Sequence, residues 1–243
     1  MKKLVIIPAY NEEKSIVKVV NNIKKYAPDF DYVVINDGSL DSTLDVCYKN
    51  KINVVNLPVN LGIGGAMQTG YKYAYNYDYD IAVQIDGDGQ HDPQYLNYIA
   101  SFIESGQVDM VIGSRFIDKQ GFQSSFMRRI GIRYFQMLLK FCTGFNITDA
   151  TSGFRACNRD IIKYFSQNYP KDYPEPESIV MISRERLRIK EIPVVMKERA
   201  TGVSSINAIK SIYYMIKVTL SILISRIKPR KTEEDWEEVY NES

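Results

Sequence analysis

Cysteine is scarce in this 243-residue chain. Cys47, Cys142 and Cys157 are odd in number and far apart, which excludes a disulfide framework and gives no metal-ligand spacing. They read as buried thiols of a reducing compartment. Long apolar runs are missing too: no stretch reaches the ~20 uninterrupted apolar residues of a spanning helix. The first apolar run, Leu4–Ile7, stops at Pro8, too soon for a signal peptide, and reads as a strand. Excess charge of one sign is absent, since the formal net charge is +2, which argues against a surface for bulk polyanions but by itself excludes neither membrane nor nucleic acid; no nucleic-acid partner is expected. Histidine occurs once, at His91. It is a general base by residue type, but its place in a polar loop favours a supporting role. No internal repeat or low-complexity segment is apparent.

What the chain does have is strand-helix alternation. Short β-branched runs at Leu4–Ile7, Tyr32–Ile35, Asn53–Leu57, Ile81–Ile85 and Met110–Ile112 are continuous rather than alternating, as in strands buried on both faces. Helical patterns at Glu12–Tyr26, Ser42–Lys49 and Gly65–Tyr77 separate them, and Asp92-Pro93 caps another. This predicts an α/β fold: a doubly wound, mostly parallel sheet with helices on both faces and ligands at the carboxyl ends of its strands. Those ends carry Pro8-Ala9-Tyr10-Asn11-Glu12, Asn36-Asp37-Gly38-Ser39, Asn60–Gly65, Asp86-Gly87-Asp88-Gly89-Gln90 and Gly113-Ser114-Arg115. Asn60–Gly65 is not a dinucleotide loop, because Met67 stands where that fingerprint needs glycine or alanine.

The D-x-D at Asp86 and Asp88 is the sharpest signal. Residues two apart leave a strand on one side, so both carboxylates converge at its end. Gly87 and Gly89 remove bulk beside them. Two hard oxygen donors there suit Mg²⁺ or Mn²⁺ bridging phosphate oxygens.

Together with Thr151-Ser-Gly-Phe-Arg-Ala156, these motifs resemble, in order and spacing, inverting family 2 glycosyltransferases. The branch resembled includes dolichyl-phosphate mannose synthases and bacterial polyprenyl-phosphate glycosyltransferases. The resemblance implies a GT-A-type fold and a metal-dependent transfer of sugar from a nucleotide-diphosphate sugar, with uridine the expected nucleotide, to polyprenyl (undecaprenyl) phosphate for the cell envelope. It places Pro8, Ala9, Tyr10, Glu12, Asp37, Asp86, Gly87, Asp88 and Gln90 around the donor. Asp88 would hold the metal with Gln90 near it, Arg115 would lie on the acceptor side, and Arg199 would reach the donor phosphates.

The C-terminal half has a different texture. Phe126–Phe145 and Ile209–Ile227 are helical in spacing, apolar and studded with basic residues. They are expected to lie in a membrane interface, with Arg128, Arg129 and Arg133 joining Arg115 on a lipid phosphate. The expected organisation is a catalytic unit over 1–208 (nucleotide-sugar half 1–121, acceptor half 122–208), an amphipathic helix over 209–231 and an acidic tail over 232–243. The site would act at the cytoplasmic face of the membrane. The transmembrane helices of many relatives are missing here, which leaves room for a small membrane partner protein; a homo-oligomer is also open.

A lipid phosphate is already ionised and needs no base, whereas a sugar hydroxyl does. In Tyr173-Pro-Glu175-Pro-Glu177, Glu177 is the candidate base for that second reading, a polysaccharide-extending transferase. A non-catalytic nucleotide-sugar-binding module is the third.

Overall fold

The computed structural model describes residues 1–118, 126–197 and 208–227, without the side chains of 126–130 and 208–214. Strand β1 (Lys3–Ala9) shows why the sheet is covered on both faces. Leu4 and Ile6 enter one apolar cluster, with Met67, Tyr71, Phe165 and Ile179; Val5 and Ile7 enter the other, with Ile16, Val20, Ile99 and Ile103. Successive side chains point to opposite faces, so a run with no polar position must bury both.

The remaining strands are β2 (Phe30–Asn36), β3 (Val54–Asn56), β4 (Ile81–Gln84), β5 (Met110–Ser114), β6 (Arg155–Asn158) and β7 (Ile189–Pro193). They form a seven-stranded sheet in the order β3-β2-β1-β4-β6-β5-β7. Strand β6 runs antiparallel to both its neighbours, while the other pairings are parallel. Helices α1 (Ile16–Tyr26), α2 (Thr43–Lys49), α3 (Gly62–Asn76) and α4 (Leu96–Glu104) occupy the expected segments. Asp92 caps the turn before α4, its side chain accepting from the Gln94 amide at 3.1 Å.

Helices α5 (Phe126–Thr143), α6 (Arg159–Gln167), α7 (Pro174–Arg184) and α8 (Ala208–Ile227) follow among the described residues. The stretch expected to form an acceptor half contributes β6 and β7 to the same sheet as β1–β5. Helix α8 packs on α5 and α7, burying Val218, Ile222 and Ser225, with the Tyr134 hydroxyl 3.0 Å from that of Thr219. Its other side leaves Ile216, Leu220, Leu223, Ile224 and Ile227 exposed. No helix among the described residues is long and apolar enough to cross a membrane.

Candidate active site

Strand order turns back between β1 and β4. At such a switch point the loops leaving two adjacent strands diverge and open a crevice. The chain beyond β4 keeps pairing with β1, Ile85 donating to the Ile6 carbonyl at 3.0 Å and Gly87 to that of Pro8 at 3.2 Å. Asp86 and Asp88 are thereby brought beside Pro8–Glu12. A cleft of about 270 Å³ results, lined by Pro8, Tyr10, Glu12, Ile63, Asp86, Gly87, Asp88 and Glu175.

The first loop is locked to its neighbour. Asn11 adopts φ 58°, a left-handed conformation that asparagine tolerates. Its side-chain oxygen accepts from the Leu40 amide at 2.8 Å, and its own amide donates to Ser39 Oγ at 3.0 Å. Glu12 donates its amide to Thr43 Oγ1 at 2.8 Å and accepts from Ser15 Oγ at 2.5 Å. Asp37 is buried at the end of β2, with Oδ1 taking the Leu61 amide at 2.7 Å; it fastens the turn into α3 and does not line the cleft.

The second loop is held from several sides. Asp86 Oδ1 accepts from Gln84 Nε2 at 3.2 Å, and the Asp86 amide donates to His91 Nδ1 at 3.1 Å. Asp88 Oδ1 accepts from the Gln90 amide at 3.0 Å. The Gln90 side chain turns towards Lys197, donating to its carbonyl at 3.3 Å, while Lys197 returns its amide to the Gln90 carbonyl at 2.9 Å. The segment after β7 therefore runs beside the D-x-D as far as Lys197. Arg199 itself, like the side chains of Arg128 and Arg129, lies outside the described residues.

No cluster of three or more histidine, cysteine or acidic side chains fit for a metal occurs among the described residues. The donor chemistry nevertheless fits Mg²⁺ or Mn²⁺, which take one or two carboxylates and complete their shells with water and substrate phosphates. Asp88, with Asp86 beside it on the cleft wall, supplies such a set.

Two expected residues are placed differently. Glu177 does not reach the cleft. Residues two apart on a helix point about 200° away from one another, and Glu177 faces α8, where Ser225 Oγ donates to it at 3.4 Å. Glu175 is the cleft carboxyl. Burial raises its pKa above the ordinary glutamate value; the Arg155 charge opposes that most, and Asp86 adds to it. Arg115 forms a two-pronged pair with the fully buried Asp149 at 2.6 and 2.7 Å and reaches Thr151 Oγ1 at 3.0 Å. With its fork on Asp149, it holds the 148–151 loop and is not poised for a lipid phosphate. Arg133 is exposed on α5.

Two residues given no site role in the sequence analysis support the cleft from behind. Arg155 is buried and donates to the carbonyls of Ser152, Ala150 and Glu175 at 2.8, 3.0 and 2.7 Å and to Ser178 Oγ at 2.6 Å. It ties the first turn of α7 to the loop before β6. Gly64 lets α3 meet the segment leading to Glu175, since a Cβ there would lie 2.3 Å from the main-chain oxygens of Pro170 and Lys171. Gly64 thus serves close packing, while Gly62 supplies a left-handed turn at φ 77°.

Residues 4–165 match the model of glycosyl transferase family 2. The chain belongs to that family. It is 31% identical over 212 residues, 78% of this chain and 83% of the relative, to a UDP-N-acetylglucosamine–dolichyl-phosphate N-acetylglucosaminyltransferase of Methanococcus voltae. It is 26% identical over 227 residues, 89% of this chain and 85% of the relative, to a polyprenol monophosphomannose synthase of Mycolicibacterium smegmatis. Among solved structures, glucosyl-3-phosphoglycerate synthase of Mycobacterium tuberculosis in complex with Mn²⁺, UDP and glucosyl-3-phosphoglycerate superposes with a TM-score of 0.70 at 20% identity, covering 95% of this chain and 81% of that one. The fold of this glycosyltransferase is thus GT-A-like, with a mixed sheet and helices on both sides.

Proposed function

We propose that this glycosyltransferase moves a sugar from a UDP-sugar to a polyprenyl phosphate at the cytoplasmic face of a membrane. The observation that carries the donor side is the cleft at the switch point, where Asp86 and Asp88 face Pro8–Glu12. The relatives named for dolichyl or polyprenol phosphate support the acceptor.

In this reading Pro8, Ala9, Tyr10 and Glu12 border the nucleotide, Asp37 holds the turn into α3 beside them, and Asp86 and Gly87 lie against the ribose and sugar. Asp88 holds a divalent ion, with Gln90 shaping its loop. A bound Mg²⁺ or Mn²⁺ supplies charge stabilisation for the departing diphosphate. Arg199, two positions after Lys197 in sequence, would add a second positive charge where negative charge develops. The acceptor phosphate is ionised at neutral pH and attacks without giving up a proton. Purified protein with undecaprenyl phosphate, Mn²⁺ and a panel of UDP- and GDP-sugars tests the proposal. A polyprenyl-linked sugar is expected, and transfer to saccharide hydroxyls alone would overturn the acceptor.

That second reading has an observation of its own, the Glu175 carboxyl with its raised pKa on the cleft wall. Glu175→Gln separates the two. A lipid-phosphate acceptor predicts turnover within about 10-fold of wild type, and a hydroxyl acceptor predicts a loss of about 10²–10⁴-fold, the usual worth of a general base. The same variant has a stability signature. A carboxyl whose folded pKa lies above its unfolded value contributes stability that is complete below the unfolded value and lost as pH rises through the folded one. Glu175→Gln removes that loss. Its melting temperature at pH 7 is therefore expected to equal or exceed that of wild type, with a shallower decline from pH 4.5 upward.

Access to a lipid acceptor is assigned to α5 and α8. Ile216, Leu220, Ile224 and Ile227 form an exposed apolar stripe on α8, and Met137 and Phe141 are exposed on α5. Arg133, Lys140, Lys217 and Arg226 stand exposed on the same two helices, with Arg226 over the Phe141 ring at 5.4 Å. Apolar side chains among cations suit the acyl boundary of an anionic membrane. Replacing Ile216, Leu220 and Ile224 by serine is expected to weaken binding to anionic vesicles about 10²-fold, at about 1 kcal/mol for each partly buried side chain. Flotation with liposomes reads this, and unchanged flotation would dismiss the surface.

A further inference from the structure

His91 is buried and does not itself line the cleft, but it stands directly behind Asp86, which does. Its environment is specific all the same. Nδ1 accepts the Asp86 amide hydrogen at 3.1 Å, so that nitrogen presents a lone pair and the ring proton sits on Nε2. The ring stacks on Phe154 at 5.3 Å with a 22° interplanar angle. Phe154 follows Gly153, whose own place is narrow: a Cβ there would lie 2.8 Å from Gln84 Nε2 and 3.1 Å from Asp86 Oδ1. The loop before β6 thus presses against the Gln84–Asp86 contact on one side and clamps the imidazole on the other.

Gln84 is buried as well, and its amide holds Asp86 Oδ1 at 3.2 Å. The hydrogen bond to the Asp86 carboxylate thus comes from Gln84 and the one to its main chain from His91, whose Nε2 stands 3.8 Å from Asp86 Oδ2, beyond hydrogen-bond reach. The main-chain bond falls where β4 has ended and the D-x-D turn begins, so the imidazole supplies the acceptor for the Asp86 amide there. An unsatisfied buried amide costs about 1–3 kcal/mol, and a loop that relaxes to avoid that cost carries the Asp86 carboxylate with it.

We propose that His91 is a positioning residue for donor binding: its Nδ1 fixes the main chain of Asp86 while Gln84 orients the carboxylate, and Phe154 holds the ring that does so. The proposal rests on the donor-site reading given above for Asp86. It assigns the chain's single histidine to loop geometry, with no proton transfer to substrate.

Two variants separate the hydrogen bond from the packing. His91→Asn keeps an acceptor near the Nδ1 position and loses the stack; His91→Phe keeps a ring on Phe154 and loses the acceptor. Amide hydrogen exchange at Asp86, followed by NMR in the ligand-free protein, reads the bond without any substrate. Titration calorimetry with UDP and Mn²⁺ reads its consequence. His91→Phe is expected to lose Asp86 protection and to weaken UDP binding about 10-fold or more while its melting temperature stays near wild type. His91→Asn is expected to keep protection and bind within about 3-fold. Equal loss in both variants would reduce His91 to a packing residue and overturn the proposal, as would full protection in His91→Phe. Wild-type protein that protects Asp86 yet binds no UDP would instead strike at the donor-site reading, with the exchange result still deciding the role of His91 in the loop.

Discussion

Asp88→Ala is expected to lower sugar transfer by at least about 10³-fold, a loss of about 4 kcal/mol in transition-state stabilisation. The residue is mostly buried but opens onto the cleft wall, and one of its oxygens also accepts the Gln90 amide at 3.0 Å. Two effects therefore have to be distinguished. Losing that turn bond costs about 1 kcal/mol, which for a chain of this size moves the melting temperature by about 2–4 °C. Losing the carboxylate removes the ligand on which metal-dependent diphosphate binding is proposed to depend. Asp88→Asn keeps an acceptor for Gln90 and removes only the charge, so it should melt like wild type and transfer almost as poorly as the alanine variant. Calorimetry with UDP, with and without Mn²⁺, should show metal-dependent affinity in wild type and none in either variant. Wild-type turnover in Asp88→Asn would falsify the metal assignment.

The position of the D-x-D at a strand end was legible because the first half of the chain is locally consistent. Each apolar run from Leu4 to Ile112 is a strand, each intervening pattern is a helix, and the polar clusters fall at the strand ends. Parallel β-strands joined by helices keep neighbours in sequence close in space, so periodicity and turn chemistry carry most of the topology. The second half obeys other rules. Strand β6 is four residues long, opens with arginine and inserts antiparallel between β4 and β5. Neither its length nor its composition advertises a central strand, and its pairing is wholly non-local. Strand β7, Ile189-Lys-Glu-Ile-Pro193, carries charge because it lies at the sheet edge.

The site divided along similar lines. Asp86 and Asp88 were readable from the strand period alone, which places them together at the end of β4. The choice between Glu175 and Glu177 depended on the phase of α7 relative to the cleft, and a helix opening Pro-Glu-Pro-Glu offers two acidic residues with no sequence cue to decide between them. The resemblance put Arg115 on the acceptor side, and no local pattern announces the carboxylate it pairs with. Asp149, thirty-four positions away, is invisible to local patterning. Helix α8, apolar nearly all round in sequence, divides in the fold: Val218 and Ile222 belong to the core while Ile216, Leu220, Ile224 and Ile227 stay exposed, a division that depends on what packs against it.

Arg155→Met is expected to produce the largest loss of stability of any single change considered, about 3–5 kcal/mol, because it strands several buried acceptors at once. The carbonyls of Ala150, Ser152 and Glu175 and the hydroxyl of Ser178 all take its hydrogens. Methionine fills most of the volume, which limits the cavity contribution and leaves unmet polar groups as the main cost. At about 2–4 °C for each kcal/mol the melting temperature should fall by roughly 10 °C. Lysine is a poor substitute, since one ammonium cannot match the geometry of a planar fork with donors to four acceptors; Arg155→Lys should recover less than half of the loss. The electrostatic consequence reaches the cleft. Arg155 is the charge that most opposes the rise in the Glu175 pKa, so its removal should push that carboxyl further up and shift any pH dependence of transfer that Glu175 governs to higher pH. A pH profile of turnover, taken at a temperature where Arg155→Met is still folded, reads this directly. An unchanged profile alongside the expected drop in melting temperature would confine Arg155 to holding α7 against the loop before β6, with no electrostatic hand in the site.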